Sequence, residues 1–277
     1  GDDDIAASVT LTGQAVIKYS NILIKEYIKG RVPDISNYDL DQCIIYNDTD
    51  SSYASIAPLV KNDLVKFWDG EDIHQETYDE IQKIEDFLNE GINNWARKSL
   101  LTKDSRFIFK RECIADIGVF LQKKRYVMHI LDDEGIKENK FKYTGVEVVR
   151  TTMPNAIKPY AKKIIETMLT TQSLKETNVV LNETYDTFKS LGPEEVAFVM
   201  GVRGYEKHAV KCRGFETSKG MPIHAKSAYY YNMMLDKLNT GNKYEEISSG
   251  DKVRYMYVEQ PNKFGLGTIG FKYDYPV

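Results

Sequence analysis

The sequence is short of the residues that build metal cages and covalent staples. It has three cysteines (Cys43, Cys113 and Cys212) and four histidines in 277 residues. The cysteines are odd in number, far apart and without zinc-ligand spacing. Neither a disulfide framework nor a structural zinc site is expected, and a reducing compartment is. No apolar run approaches the ~18 residues that suggest a membrane span, so no membrane partner is expected. There is no signal peptide and no initiator Met, and residue 1 is not expected to be a natural start. Positive charge is also short. A formal net charge of −4 argues against a simple basic nucleic-acid binder.

What is present is ordinary for a globular protein: 42% hydrophobic and 28% charged residues. That excludes disordered, collagenous and low-complexity classes and leaves enough chain for one large domain or two ordinary ones. The charge is segregated. Residues 1–100 carry 9 Lys+Arg and 19 Asp+Glu, a net of −10. Residues 101–277 carry 28 and 22, a net of +6. An acidic module joined to a mildly basic one leaves room for nucleic acid on the second.

Apolar spacing predicts a helix over residues 5–29, with Ile5, Val9, Val16, Tyr19, Leu23 and Tyr27 inward and Gly30 as a stop. Cys43 to Tyr46 and Ser52 to Ile56 read as the two strands of a hairpin. Its tip, Asn47 to Ser51, is rich in residues that tolerate turn geometry. A second helix is expected over 73–100. Strands are expected at Phe107–Phe109, Ile117–Leu121 and Tyr126–Leu131, the last closed by a turn at Asp132 to Gly135. Pro154 is expected to open a long helix, with another over about 175–190. Val196–Val202 reads as a strand, 203–220 as a basic loop and 223–239 as a helix. Val253–Val258 and Leu266–Phe271 are strand-like. The fold class is α+β, with a boundary near 140–150 between an α+β half and a mainly helical half.

The hairpin tip carries the most informative pattern. Two carboxylates so close favour either protonation of one or binding of a cation. Hard oxygen donors of this kind suit Mg²⁺, which takes one or two carboxylates and completes its shell with water and substrate phosphates. An EF-hand is excluded, because the sixth and twelfth positions counted from Asp48 are Tyr53 and Leu59. Alone, an Asp-Thr-Asp tip reads as a solvated turn. Its context differs. Tyr46-Asn47-Asp48-Thr49-Asp50-Ser51 closely resembles the Tyr-Gly-Asp-Thr-Asp-Ser signature of family B DNA polymerases. Further on, Lys123-Lys124-Arg125-Tyr126 resembles the motif that ends the palm in that family. Tyr143 to Glu147, the start at Thr151 to Pro154, Pro222 to Asn232, and Gly250 to Gly265 are similar to thumb segments of tailed-phage members. The motifs run in order over nearly the whole chain.

The resemblance implies a palm portion over residues 1–144, built of antiparallel sheet and helices. A mainly helical thumb, incomplete at its end, would follow over 145–277. It implies Asp50 as the direct metal ligand with Asp48 supporting it, serving two Mg²⁺ ions in the complete enzyme. Tyr46, Asn47, Thr49 and Ser51 complete the motif, Asn47 standing where the family has Gly. It also implies that Lys123, Lys124, Arg125 and Tyr126 meet primer-template DNA, Lys124 and Tyr126 along the minor groove. That groove carries a degenerate pattern and reports duplex shape. Lys207 and Lys219 in the basic loop, and Lys226 just beyond it, are expected on DNA phosphates. His224, at a helix start, is as readily structural as functional. Gly265 to Gly270 matches a dinucleotide fingerprint but leaves no room for the following helix. Two glycosylation sequons, at Asn47 and Asn182, carry no force in a cytosolic protein.

Much of the family is not in these residues. The segment with the partner carboxylate, the triphosphate-binding helix and the exonuclease domain have no counterpart, and the clamp-binding tail is not reached. The expectation is a polymerase fragment: a natural split half, an incomplete gene or an expressed piece. It would be inactive alone, completed by an amino-terminal part and working on primer-template DNA and deoxynucleoside triphosphates in the host cytoplasm if phage-encoded. Apolar surface left bare is expected to favour self-association. The competing reading is a non-catalytic DNA-binding or docking module, which would have no reason to keep both Asp48 and Asp50.

Overall fold

In the computed structural model, residues 2–103, 106–241 and 243–272 are described. Helix α1 (Asp2–Arg31) begins with three aspartates and ends with Lys29 and Arg31. Both ends thereby complement the helix dipole. Its buried residues, Val16, Ile17, Ser20, Leu23, Ile24 and Ile28, follow three- and four-residue spacing on one face. Residues 2–11 are exposed all round. Ile5 and Val9, expected inward, are 66% and 68% exposed. Helix α3 (Gln75–Ser99) lies against α1. The approach is close at Gly91, where a Cβ would come 2.6 Å from Leu23 Cδ1. Val32, Cys43, Leu59, Val65, Leu88 and Ile92 complete this core, Leu59 coming from the short helix α2 (Ala57–Lys61).

The predicted hairpin is present as strands β1 (Ile44–Asn47) and β2 (Ser52–Ala54), paired antiparallel. A second sheet is a meander of β3 (Cys113–Gln122), β4 (Arg125–Asp133) and β5 (Ile136–Thr144), with β4 central and almost wholly buried. Strand β5 was not expected. The turn ahead of it was, and Glu134 and Gly135 both adopt positive φ (53° and 91°), as a two-residue hairpin turn with strand-matching twist requires. The predicted strand at Phe107–Phe109 does not form. Instead the Asn89 side chain on α3 bonds both backbone groups of Phe109, donating to its carbonyl at 2.9 Å and accepting from its N–H at 2.7 Å.

Three buried polar groups are satisfied within this part of the chain. Glu80 receives Arg31, Lys83 and the Tyr27 hydroxyl at 2.8, 3.1 and 3.0 Å. Asp132 pairs with Arg111 and accepts from the Tyr78 hydroxyl at 3.1 Å. His129 lies between Asp116 and Asn139, each 2.7 Å from a ring nitrogen.

The chain divides after Thr144 into two compact units. The first holds 19 Lys+Arg and 26 Asp+Glu, a net of −7; the second holds 18 and 15, a net of +3. The second unit opens with a helical hairpin, α4 (Lys158–Thr171) and α5 (Leu174–Ser190). Helix α4 starts later than expected. Pro154 lies in a preceding turn closed by its carbonyl and the Ile157 N–H, and Pro159 occupies the first helical turn. Gln172 in a left-handed conformation ends α4, and the Ser173 hydroxyl caps α5 by accepting from the Glu176 N–H at 3.2 Å.

A short turn of helix, α6 (Pro193–Val196), leads into β6 (Phe198–Gly201). Strands β6, β7 (Lys252–Tyr257) and β8 (Thr268–Phe271) form an antiparallel sheet. Helix α8 (Ile223–Leu238) packs on it through Ala225, Ala228, Tyr229, Tyr231 and Leu235. At Gly270 a Cβ would lie 2.7 Å from the Ser227 carbonyl oxygen. Beside it the Ser227 and Thr268 hydroxyls meet at 2.6 Å. Between β6 and α8 the predicted basic loop contains one helical turn, α7 (Glu206–Ala209). Among the described residues no helix is long and apolar enough to cross a membrane.

Candidate functional site

The hairpin and the meander are brought together by aromatic residues. In register, Tyr46 on β1 pairs with Tyr53 on β2, and Phe120 on β3 pairs with Tyr126 on β4. The four rings form one cluster, with centroids 5.1–5.8 Å apart and mostly tilted or edge-on geometry. Two polar contacts reinforce it. The Tyr53 and Tyr126 hydroxyls are 2.9 Å apart, and the Lys124 backbone N–H donates to the Tyr46 hydroxyl at 2.9 Å. Burial, followed by the Tyr126 hydrogen bond, pushes the Tyr53 phenol well above its ordinary value.

This contact places the two sequence motifs side by side. Lys123 and Lys124 form the two-residue turn between β3 and β4, and Lys124 holds a left-handed φ of 61°. That conformation is strained for any residue with a Cβ. The Lys124 ammonium lies 3.5 Å from Asp48 Oδ1. The Asp48 carboxylate also accepts from the Thr49 N–H at 2.8 Å, while the Asp48 N–H closes the tip on the Ser51 carbonyl at 3.0 Å. The Thr49 backbone bond, joined by the Lys124 charge, holds the Asp48 carboxyl below the ordinary carboxylate range.

Asp50 differs. It is exposed, makes no hydrogen bond or ion pair among the described residues, and with Thr49 and Ser51 lines a groove of about 980 Å³. Asn47 contributes a buried Oδ1 without a hydrogen-bond partner among the described residues. No third His, Cys, Asp or Glu joins the aspartates to make a closed cage among those residues. This donor set fits an ion that takes one or two protein carboxylates and fills its remaining positions from water and phosphate, as Mg²⁺ does.

The groove also runs along residues 51–57 and 107–118, and its other walls include Val16, Ile24, Ile84 and Leu88. Strands β2 and β3 therefore both border it, and each has one edge without a strand partner among the described residues.

The other predicted residues differ in exposure. Lys123 is exposed and Arg125 half-buried, whereas Tyr126 is only 6% exposed, inside the aromatic cluster. In the second unit Lys207 is exposed on α7, Lys219 is exposed ahead of α8, and Lys226 is half-buried in its first turn. His224 sits at the start of α8, where burial, then the charge of His208, lowers its affinity for a proton. Sequence reasoning did not find Tyr53 or Phe120. Their signal was an aromatic at matching register on each strand pair, visible only once pairing is known.

A motif-bearing carboxylate hairpin wedded to a basic turn is a specific arrangement, and sequence comparison gives it a family. The family model for DNA polymerase family B matches residues 3–268. The chain belongs to DNA polymerase family B. This family B chain is similar to the DNA-directed DNA polymerase of Escherichia phage RB69, with 25% identity over 278 residues. The match covers 94% of this chain and 29% of the phage protein. The chain thus spans less than a third of the length of that curated relative.

Proposed function

We propose that the chain is the carboxy-terminal palm and thumb portion of a phage-type DNA-directed DNA polymerase. Residues 1–144 would be the palm part and 145–277 most of the thumb. The observation that carries this reading is the Asp48/Asp50 hairpin, locked through Tyr46, Tyr53, Phe120 and Tyr126 to the Lys123–Lys124 turn, in a chain matched by the family almost end to end.

Asp50 is the direct metal ligand in this reading, because its carboxylate is exposed and uncommitted. Asp48, already held by Thr49 and Lys124, supports the local charge. When bound, Mg²⁺ supplies charge stabilisation at the triphosphate and a more acidic primer hydroxyl. Lys123, Lys124 and Arg125 face the duplex beside the hairpin, while Tyr126 carries their strand from inside. Lys207, Lys219 and Lys226 hold phosphates, positioning the duplex without reading its sequence.

The substrates are primer-template DNA and deoxynucleoside triphosphates. An amino-terminal part supplies the second carboxylate, the triphosphate-binding fingers and the exonuclease. A sliding clamp and the host cytoplasm belong to the same reading. The apolar groove, bordered by two strand edges without a strand partner among the described residues, supports docking of that amino-terminal part through added strand pairing.

Primer extension tests the proposal. The 277-residue chain alone is expected to add no nucleotide. Mixed with a separately produced amino-terminal part of a family B polymerase, it is expected to extend a primer in Mg²⁺, and Asp50→Ala is expected to abolish extension. Extension by the chain alone, or by the Asp50→Ala mixture, overturns the assignment.

A further inference from the structure

The two hairpin aspartates are not equivalent. Asp50 is bare, and Asp48 already has a cation: the ammonium of Lys124 at 3.5 Å. The Lys124 backbone is pinned in its left-handed turn by the N–H bond to Tyr46, a residue of the hairpin itself. Its side chain is nonetheless 62% exposed. The stem therefore starts from a fixed point, and the charged end is free to exchange Asp48 for another anion. Lys123 and Arg125 flank it in sequence, so an ammonium released from Asp48 joins an existing basic turn. A divalent cation at the hairpin and the Lys124 ammonium compete for one negative site, because two positive charges at Asp48 repel.

We propose that Lys124 is an exchangeable internal counter-ion that couples cation binding at the Asp48/Asp50 hairpin to phosphate binding by the basic turn. This rests on the reading of that hairpin as a cation site. Without ligands Lys124 neutralises Asp48. A cation at the hairpin turns Lys124 out toward duplex phosphates, and phosphates that draw Lys124 away leave Asp48 free to attract the cation. The coupling is reciprocal by thermodynamic necessity: whatever factor duplex DNA adds to cation affinity, the cation adds to DNA affinity. An exposed ion pair sets that factor at about two- to fivefold.

The experiment uses the 277-residue chain, with Mn²⁺ affinity read by electron paramagnetic resonance and affinity for a labelled primer-template duplex read by fluorescence anisotropy. Each is measured with and without the other ligand. Lys124→Gln removes the charge and leaves a polar side chain one atom shorter, Lys124→Arg keeps the charge, and thermal melting confirms that both are folded. Lys124→Gln is expected to bind Mn²⁺ about two- to fivefold more tightly than the unmodified chain without DNA. It is expected to show no coupling between the ligands, and Lys124→Arg to restore it. Asp50→Asn, as the reference for the site, is expected to weaken Mn²⁺ in every background. If Asp50→Asn weakens Mn²⁺ while Lys124→Gln leaves affinity and coupling unchanged, the hairpin site stands and the counter-ion role is overturned. If Asp50→Asn has no effect, or no Mn²⁺ binds, the cation reading falls and this inference with it.

Discussion

The hydroxyls of Tyr53 and Tyr126 meet at 2.9 Å across 73 positions of sequence, joining the carboxylate hairpin to the strand that carries the basic turn. Either can donate, so each satisfies the other inside an aromatic cluster. Tyr53→Phe or Tyr126→Phe should each cost about 1 kcal/mol, since one mutation leaves the partner hydroxyl unpaired. The double Phe variant should cost less than the sum. A double-mutant cycle from denaturant midpoints measures the difference, and strict additivity would show that the two hydroxyls do not interact.

The two aspartates should separate in stability as they do in environment. Asp50→Ala removes an exposed group without partners among the described residues and should move the unfolding free energy by less than about 0.5 kcal/mol. Asp48→Ala removes the acceptor of the Thr49 N–H and the partner of Lys124, and should lower the thermal midpoint measurably. Equal midpoints for the two variants would contradict the assigned geometry.

Glu80 makes the first unit sensitive to acid. Burial pushes its carboxyl up, but the hydrogen bonds from Arg31, Lys83 and Tyr27 more than reverse this, leaving it below the ordinary glutamate value. A carboxyl lowered on folding stabilises the fold above its unfolded pKa of about 4.3, and that contribution disappears as pH falls through the folded value. Stability should therefore drop below about pH 4, and Glu80→Gln should flatten the drop. Tyr27 acts at the other end. Burial, with the Glu80 bond and charge, raises its phenol to about 12. Its contribution is complete below the unfolded value near 10 and is lost as pH rises through about 12. Tyr27→Phe should reduce the alkaline loss. Chemical denaturation across pH tests both.

Glycine substitutions should differ sharply between the units. At Gly270 an added methyl meets the Ser227 backbone at 2.7 Å, which yields only if α8 and β8 separate. Gly270→Ala should cost about 1–3 kcal/mol. At Gly91 the obstacle is the end of the Leu23 side chain, which can rotate, and Ala gains about 1 kcal/mol of helix propensity over Gly. Gly91→Ala should be much the milder variant by calorimetry.

The helices α1, α3, α5 and α8 were legible in the sequence, and so was the hairpin with its acidic tip. Strand β5 was not, because Lys137, Glu138, Lys140 and Lys142 leave it no apolar run; its pairing with β4 comes from the turn ahead of it. Phe107–Phe109 had the composition of a strand, but the Asn89 side chain took the hydrogen bonds at Phe109 that a neighbouring strand would have made. Of the candidate site, the residue types were readable and their contacts were not. Nothing in the spacing of Asp48 and Lys124 announces that they pair, since that depends on the register of two separate sheets. Tyr126 likewise carries a motif position expected along the minor groove, and the fold buries its ring in the aromatic cluster.

The groove bordered by β2 and β3 has a consequence for exchange between relatives. A strand entering it would be held largely by main-chain N–H and C=O groups, whose spacing is the same for every amino acid. Selectivity of assembly would then reside in how the alternate side chains of the entering strand fill the apolar walls of the groove. Under the proposed function, chimaeras joining this chain to amino-terminal parts from distant polymerases should share the main-chain pairing and differ in affinity with the fit of those side chains.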